Sequence, residues 1–400
     1  MLPLEIAPNL FALNLRDWEI RDFHGYAIPQ GTSYNAFLLL GEKNVLIDTV
    51  KEPFTDEFLD CIRTLIPLEK IDCVVSNHTE MDHTGALPRV MEAIGREKPI
   101  YCSKMGAKNL GLHFHENWNF KEITSGEELK IDDKRTLMFL ETRMLHWPDS
   151  MFTYLKEEGI LFSSDAFGQH YAGSQYFDDE MDSGEVFFHA AKYYANILLP
   201  YSHLIAKLLS SISAMGLTLK MICPDHGVFW RKDIAGIFSA YERWSRQEAR
   251  NKAVVLYDTM WHSTEKMARA IGDGLMESGV AEVLLINARK SHRSDIITEI
   301  LEARALLVGS PTLNNQIFPA LMDSLTYIKG LKPAKKIAAA FGSYGWSGEA
   351  VKLLNAELAA MGFELPEEGL RVSYVPKAEH LELCRELGKR MGERIQEMGS

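Results

Sequence analysis

A regular alternation of apolar strands and helices over residues 251–400 is the feature that most restricts the fold. Each of five predicted strands precedes a predicted helix, and these strands are Ala253–Tyr257, Glu282–Ile286, Ala305–Gly309, Lys336–Phe341 and Arg371–Val375. Strands that are apolar along their whole length are typical of parallel sheets covered by helices on both faces. The pattern therefore predicts an α/β fold with a doubly wound, five-stranded parallel sheet.

The first 250 residues have a different pattern, in which short strands are mixed with helices. The predicted strands Ala36–Leu40 and Val45–Asp48 are joined by a short turn, which is typical of a hairpin in an antiparallel or mixed sheet. A predicted amphipathic helix, Asp233–Ala249, ends in a polar stretch. We therefore expect two domains, at residues 1–250 and 251–400.

Charge and cysteine content restrict the partners and the compartment. Lys and Arg total 43 against 55 Asp and Glu, a net charge of −12, which argues against nucleic-acid binding because phosphates need basic surface. No apolar run approaches the roughly 20 residues that span a bilayer, and the N-terminus does not resemble a secretion signal. The five cysteines form no C-x-x-C pair, which is typical of reduced thiols and excludes a rubredoxin-like iron module in this sequence. We expect a cytoplasmic protein that binds neither nucleic acid nor membranes.

Four potential metal ligands lie within six residues, directly after the predicted strand Asp72–Asn77: His78, Glu80, Asp82 and His83. A loop at a strand end can direct alternate side chains into one cavity. This combination of residue types is costly to bury without a shared cation. The alternative is an ordinary polar loop with capping residues.

Three more candidate ligands follow predicted strands downstream, namely His146, Asp165 and His226. Each alone is weak evidence, because a single histidine after a strand is more often structural than a ligand. Four imidazoles and three carboxylates without a thiolate favour a dinuclear iron pair, although the donor set alone leaves zinc and manganese open. Together the seven residues predict a metal centre built from strand-end loops.

Three loops at the carboxyl ends of the predicted parallel strands predict a site for flavin mononucleotide (FMN), because open α/β sheets bind ligands at this edge. The hydroxyls of Thr259, Ser263 and Thr264, with the free N–H groups of a helix start, can hold a phosphate, and a plain helix cap is the alternative. Trp346 or Tyr344 can cover a flat ring. No G-x-G-x-x-G motif follows a strand, which argues against a dinucleotide.

The candidate FMN-binding residues share these three loops. They are Thr259, Met260, Trp261, Ser263, Thr264, Ser310, Pro311, Thr312, Asn314, Asn315, Ser343, Tyr344, Gly345, Trp346 and Gly348.

The two sets of motifs together resemble the flavodiiron proteins, also called A-type flavoproteins. Residues 1–250 are similar to a metallo-β-lactamase domain of αββα architecture, with His78-x-Glu80-x-Asp82-His83 in place of that superfamily's usual H-x-H-x-D-H. Residues 251–400 resemble a flavodoxin-like domain. The resemblance implies that His78, Glu80 and His146 bind one iron, that Asp82, His83 and His226 bind the other, and that Asp165 bridges them.

The resemblance also implies further pocket residues. His83 is the ligand position at which family members differ, because the matching histidine turns away from the metal in some of them. The implied pocket residues are His24, Trp147 and one of Tyr193 and Tyr194, for which a role as core aromatics is the alternative.

By this resemblance we expect an oxidoreductase in which electrons pass from FMN to a non-haem diiron centre and reduce dioxygen to water, nitric oxide to nitrous oxide, or both. The family implies an external electron donor, rubredoxin or a reduced deazaflavin cofactor, and a head-to-tail homodimer or a dimer of dimers. One alternative is a zinc-dependent metallohydrolase fused to a flavodoxin-like electron-transfer domain, against which Glu80 argues as a hard anionic ligand. A non-catalytic electron carrier is another, against which the complete ligand set argues.

Overall fold

Twelve of the fourteen strands described in the first half of the chain form two mixed sheets in the computed structural model, which describes residues 2–398. In chain order the strands are β1 (Leu4–Ala7), β2 (Leu10–Asp17), β3 (Asp22–Phe23), β4 (Tyr26–Ala27), β5 (Thr32–Leu39), β6 (Val45–Ile47), β7 (Cys73–Val75), β8 (Pro99–Ser103), β9 (Asn119–Ile123), β10 (Glu128–Lys130), β11 (Thr136–Glu141), β12 (Met151–Leu155), β13 (Ile160–Phe162) and β14 (Met221–Cys223). A seven-stranded sheet has the order β1-β2-β5-β6-β7-β8-β9, a five-stranded sheet has the order β10-β11-β12-β13-β14, and β3 and β4 lie outside them. Both sheets contain antiparallel and parallel pairs.

Helices cover the outer faces of these sheets. The helices of this half are α1 (Thr55–Arg63), α2 (Met81–Thr84), α3 (Leu87–Ile94), α4 (Lys104–Phe114), α5 (Ser183–Tyr193), α6 (Ser202–Met215) and α7 (Ile234–Ser245). The single turn α2 does not belong to this cover, because it carries the candidate ligands Asp82 and His83. Ile62 of α1 and Val90 of α3 share one core cluster with Leu38 of β5. On the other side, Phe187 of α5 contacts the ring of Trp230, which is bridged to β14.

A second core cluster lies between the two sheets. The rings of Phe37 on β5 and Phe162 on β13 are 4.8 Å apart and fully buried. Burying one such side chain contributes about 1.5–3 kcal/mol. The layers are therefore helices, sheet, sheet and helices, as the resemblance implies, and the strand ends at one edge of the sandwich supply the loops described below.

The second half of the chain forms the parallel sheet that the sequence predicts. Its strands are β15 (Lys252–Tyr257), β16 (Glu282–Asn287), β17 (Ala305–Gly309), β18 (Ile337–Tyr344) and β19 (Leu370–Ser373), and its helices are α8 (Ser263–Glu277), α9 (Arg293–Leu301), α10 (Pro319–Leu331), α11 (Ala350–Ala360) and α12 (Ala378–Glu397). Every neighbouring pair in the order β16-β15-β17-β18-β19 is parallel. This is the strand order of flavodoxin-like folds.

Contacts between residues divide the chain into two units. One comprises the chain up to His24, Ile28–Tyr194 and His203–Glu242, and the other comprises Gly25–Ala27, Ala195–Ser202 and the chain from Arg243 onward. The sequence-based domain boundaries, residues 1–250 and 251–400, stay a prediction.

One run of helical turns, Ser183–Met215, is long and apolar enough to cross a membrane by length and composition alone. Of its most apolar window, 33% is buried inside the structure. Core helices satisfy the same criteria, and Tyr193 and Leu198 in this run are both buried. A single run of this kind is weak evidence for a membrane span.

Candidate active site

Buried polar contacts hold the loop that follows β7. Asp48, at the end of β6, accepts hydrogen bonds from the backbone N–H of Asn77 at 2.7 Å and from its side-chain amide at 2.6 Å. The Asn77 side-chain oxygen in turn accepts a hydrogen bond from the hydroxyl of Thr153 on β12 at 2.7 Å. These bonds fix the backbone immediately before His78, so the candidate ligands start from a defined position.

The first group of candidate ligands comprises His78, Glu80, His146 and Asp165, whose donor atoms lie within 4.8 Å of one another. Nε2 of His146 is 3.0 Å from Oε2 of Glu80 and 2.7 Å from Oδ2 of Asp165. Nε2 of His78 is 3.3 Å from the same Asp165 oxygen. Three separate strand-end loops thus bring four donors to one point.

Asp82, His83 and His226 form the second group. The Nε2 atoms of the two histidines are 3.1 Å apart, and Oδ2 of Asp82 is 3.2 Å from each. Oδ1 of Asp165 is 3.6 Å from Nε2 of His83 and 3.5 Å from Nε2 of His226. Asp165 therefore turns one oxygen toward each group, and the structure brings all seven predicted residues together.

The charges of these seven side chains, and the donor atoms among them that lack a hydrogen-bond partner, suit a pair of cations. Nε2 of His78, both carboxylate oxygens of Asp82 and Oδ1 of Asp165 are buried and have no hydrogen-bond partner in the described part of the chain. Burial alone would raise the pKa of Asp82 and of Asp165, but the neighbouring imidazoles hold both pKa values well below the usual range. Burial alone would lower the pKa of His146, but hydrogen bonds with Asp165 and Glu80 raise it to about 9. Ionised carboxylates facing imidazole nitrogens are the donors that a divalent metal pair uses.

Two left-handed residues shape the loops that carry Asp165 and His226. Ser164 has a φ of +50°, which is uncommon for a residue other than glycine, and its carbonyl accepts the backbone N–H of Asp225 at 2.8 Å. Gly227 has a φ of +79°, and a Cβ atom there would lie 2.6 Å from the carbonyl oxygen of Gln169. His226 donates from Nδ1 to the carbonyl of Ser33 at 2.7 Å, which leaves its Nε2 directed at the cluster.

Asp225 is a candidate functional residue that the sequence analysis missed. Its carboxylate is fully buried, and neither oxygen has a hydrogen-bond partner among residues 2–398. Oδ2 lies 3.5 Å from Nδ1 of His78 and 4.0 Å from Nδ1 of His83, one histidine from each group. Nδ1 of His78 also lies 3.0 Å from the Ser164 hydroxyl, so Ser164 and Asp225 both face the ring nitrogen that points away from the cluster. The position of Asp225 after a strand and next to His226 was the available signal.

The four predicted pocket residues differ in their surroundings. Nε2 of His24 is 2.9 Å from Oε1 of Glu80, and the His24 side chain is 73% exposed. The ring of Tyr193 lies 6.0 Å from that of His226, whereas Tyr194 packs edge-on against Tyr241 at 5.1 Å. The ring contact of Trp147 is with His113. The geometry thus favours Tyr193 over Tyr194 as the pocket residue.

The predicted flavin loops border one cavity at the carboxyl edge of the parallel sheet. Its volume is about 560 Å³, and it is lined by Met260, Thr312, Leu313, Asn314, Asn315, Gly345, Trp346 and Ser347. This volume lies in the range of cofactor sites. Trp346 is 93% exposed, so its indole is free to cover a flat ring.

The polar residues of these loops are partly engaged with one another. The Thr259 hydroxyl is buried and has no hydrogen-bond partner within the described residues, so it is available to a phosphate. The hydroxyls of Thr264 and Ser343 lie 2.9 Å apart. The Ser310 hydroxyl donates to the carbonyl of Pro311 and accepts the N–H of Phe318, so it supports its loop.

Both halves of the chain match known protein families. Residues 32–227 match the family model described as ODP family beta lactamase, and residues 255–388 match the flavodoxin model. The chain is 46% identical over 397 residues to the nitric oxide reductase of Moorella thermoacetica, covering 98% of this chain and 99% of that protein. It superposes on the flavodiiron protein of Giardia intestinalis with a TM-score of 0.95 and 35% identity, covering 99% and 97% of the two chains. The chain belongs to the flavodiiron protein family.

Another solved flavodiiron structure, the rubredoxin oxygen:oxidoreductase of Desulfovibrio gigas, has a TM-score of 0.95 and 40% identity over 99% of both chains. The predicted fold class is confirmed: a metallo-β-lactamase-like domain is followed by a flavodoxin domain. As a flavodiiron protein, the chain is an oxidoreductase whose cofactors are FMN and a non-haem diiron centre. The seven clustered side chains have donors suited to the irons, and the cavity beside the flavin loops has a volume suited to FMN.

Proposed function

We propose that this flavodiiron protein reduces nitric oxide to nitrous oxide, dioxygen to water, or both, at two irons held by the seven clustered residues. The observation that carries the proposal is that Asp165 turns Oδ2 to His146 and Oδ1 to His226, one histidine of each group. The relatives support both substrates, because one is named a nitric oxide reductase and another a rubredoxin oxygen:oxidoreductase.

The ligand assignment follows the two groups. His78, Glu80 and His146 would hold one iron, Asp82, His83 and His226 the other, and Asp165 both. Paired irons supply electrons and adjacent binding positions for a small oxidant, and FMN exchanges electrons singly or in pairs. The reactions balance as two nitric oxide, two electrons and two protons to nitrous oxide and water, or as dioxygen, four electrons and four protons to two waters.

The chain's own residues bury and orient the centre. His78, Glu80, Asp82, His83, Asp165 and His226 are each at most 7% exposed, which limits access by water and by competing ligands. His24 contacts Oε1 of Glu80, and so keeps Oε2 turned toward His146. We assign His24 a positioning role at the exposed side of the centre.

The alternative of a zinc-dependent metallohydrolase with an electron-transfer domain is not favoured. Relatives that match along nearly the whole chain are named for redox reactions. A zinc pair polarises water but exchanges no electrons, so it leaves the flavodoxin domain without a role.

The electron donor, assembly and compartment are further parts of the proposal. The donor is an external redox protein of the rubredoxin type or a reduced deazaflavin cofactor.

The working unit is a head-to-tail homodimer, alone or paired into a dimer of dimers, because a two-fold contact can place each flavin edge against the iron site of the partner. The compartment is the cytoplasm, in keeping with five cysteines that are all buried and unpaired.

The proposed function is tested by anaerobic turnover. The chemically reduced protein is mixed with nitric oxide or with dioxygen, and nitrous oxide and residual gas are measured. We expect consumption of at least one gas at a rate that the Asp165→Ala variant does not reach. Equal rates for the two proteins would contradict the proposal.

A further inference from the structure

A buried carboxylate lies within the loop that is proposed to hold the FMN phosphate. Asp258 is the first residue after β15 and is fully buried. Oδ1 of Asp258 accepts the backbone N–H of Thr259 at 2.6 Å, while Oδ2 has no hydrogen-bond partner in the part of the chain that the structure describes. Because a phosphate monoester is also anionic, an uncompensated carboxylate in this loop would oppose its binding.

Arg289 compensates this carboxylate from the neighbouring loop, which follows β16. Its Nε donates to Oδ1 of Asp258 at 2.8 Å, and its Nη2 donates to the carbonyl oxygen of Thr259. The guanidinium also lies 5.2 Å from the centre of the Phe318 ring. One side chain therefore bonds to both the charge and the backbone of the phosphate loop.

The bond to the Thr259 carbonyl has a further consequence. In a trans peptide the C=O of one residue and the N–H of the next point in opposite directions. Fixing the Thr259 carbonyl toward Arg289 therefore fixes the N–H of Met260 away from Arg289. Free N–H groups of this kind are the donors that hold phosphates at helix starts.

We propose that Arg289 is a positioning residue for the FMN phosphate, which neutralises Asp258 and holds the loop 258–264 in its phosphate-binding form. The inference rests on the proposed placement of FMN at this loop. Arg289 acts through Asp258 and Thr259, since two of its donors are already engaged there. The contribution should therefore appear in the affinity for FMN and not in the affinity for riboflavin, which has the same ring system and no phosphate.

The test uses the full-length protein after removal of its flavin. FMN and riboflavin are titrated separately, and dissociation constants are measured from flavin fluorescence. We expect Arg289→Ala to weaken FMN binding about tenfold or more, as for loss of charge-assisted hydrogen bonds, and to change riboflavin binding less than about twofold. Adding Asp258→Asn to Arg289→Ala removes the uncompensated charge and should recover much of the FMN affinity.

Arg390→Ala is the matched control. Arg390 donates two hydrogen bonds to Glu367 in the same unit, and its side chain is 48% exposed against 50% for Arg289. This variant should bind both flavins as the unaltered protein does. Circular dichroism and iron content verify that each variant is folded, and Arg289→Gln replaces Arg289→Ala if the latter does not fold.

Three results would overturn the inference. One is an unchanged FMN affinity in the Arg289 variant, another is an equal loss of FMN and riboflavin affinity, and the third is no recovery in the double variant. A Thr259, Ser263 and Thr264 triple alanine variant separates the causes. If the triple variant loses FMN selectively and Arg289→Ala does not, the placement of the phosphate stands and the role of Arg289 falls. If neither variant weakens FMN binding more than riboflavin binding, the phosphate lies elsewhere. The placement of the phosphate at loop 258–264 and the role of Arg289 then both fall.

Discussion

Nε2 of His146 lies 2.7 Å from Oδ2 of Asp165, in a pocket where the second oxygen of the same carboxylate faces another group of donors. The two residues come from loops after different strands and meet at the edge of the sandwich. Since His146 has contacts in only one group and Asp165 has contacts in both, replacing them should have unequal effects.

Asp165→Ala should lower the bound iron more than His146→Ala, because loss of a bridging ligand removes a bond to both metals. FMN content should stay near one per chain in both variants, since the flavin loops lie in the other unit. Iron and flavin are measured on the same preparations. An equal loss of iron in the two variants would contradict the bridging role of Asp165.

Replacing Thr259, Ser263 and Thr264 together with alanine should release FMN and abolish donor-driven turnover while the iron content stays unchanged. Each lost hydrogen bond to a charged phosphate is worth roughly 1.5–3 kcal/mol, so the combined change is expected to be large. Flavin released on denaturation and iron per chain are the readouts. Full retention of FMN would place the phosphate at another loop.

The buried Lys336 predicts a pH dependence of stability that is independent of the metal site. Burial lowers the pKa of Lys336 to about 7, and its ammonium donates to the carbonyls of Leu301 at 3.2 Å and Ala303 at 2.6 Å. Between pH 7 and the ordinary lysine pKa near 10.4 the unfolded chain binds one more proton at this residue than the folded chain, so its contribution to stability rises with pH. The difference between the urea midpoints of the unaltered protein and of the Lys336→Met variant should therefore grow in favour of the unaltered protein from pH 7 to pH 9. A difference between the two midpoints that stays constant across this pH range would contradict the prediction.

The parts of the fold that the sequence predicts are those in which burial determines residue type. The strand Ala305–Gly309 has the same bounds in the prediction and in the structure, and all of its residues are buried. By contrast, Asn119–Ile123 is a mostly exposed edge strand whose polar residues do not differ from those of a loop. The pattern after the fourth predicted strand of the parallel sheet predicts a helix over Trp346–Met361, but the helix begins at Ala350, because Gly348 has a φ of +76° and ends any helical turn there.

The candidate site, like the fold, could be predicted from the sequence only in part. His78, Glu80, Asp82 and His83 could be recognised because their chemistry is contiguous in the chain. The position of Asp225 behind His78 and His83 depends on the packing of distant strands, so its place after a strand and beside His226 could mark it only as a candidate. Tyr193 and Tyr194 could not be separated, because only their orientation at the end of α5 decides which ring reaches His226.

Co-expression of two inactive variants tests the head-to-tail dimer. His146→Ala should be inactive at the irons, and the triple phosphate-loop variant should be inactive at the flavin. A mixed dimer, purified through two different tags, contains one intact flavin site and one intact iron site on opposite chains. If electrons cross between chains, it should recover a substantial part of the turnover, whereas each variant homodimer stays inactive. Inactive mixed dimers with both cofactors present would mean that electrons pass within one chain.

Metal analysis of the protein, produced with ample iron and with zinc present, tests whether the seven clustered residues bind iron. We expect about two irons and one FMN per chain, since two donor groups are joined by the carboxylate of Asp165 and together comprise His78, Glu80, Asp82, His83, His146, Asp165 and His226. A Mössbauer spectrum of the same sample should show both irons in a coupled pair. Stoichiometric zinc with little iron would contradict the proposed diiron centre.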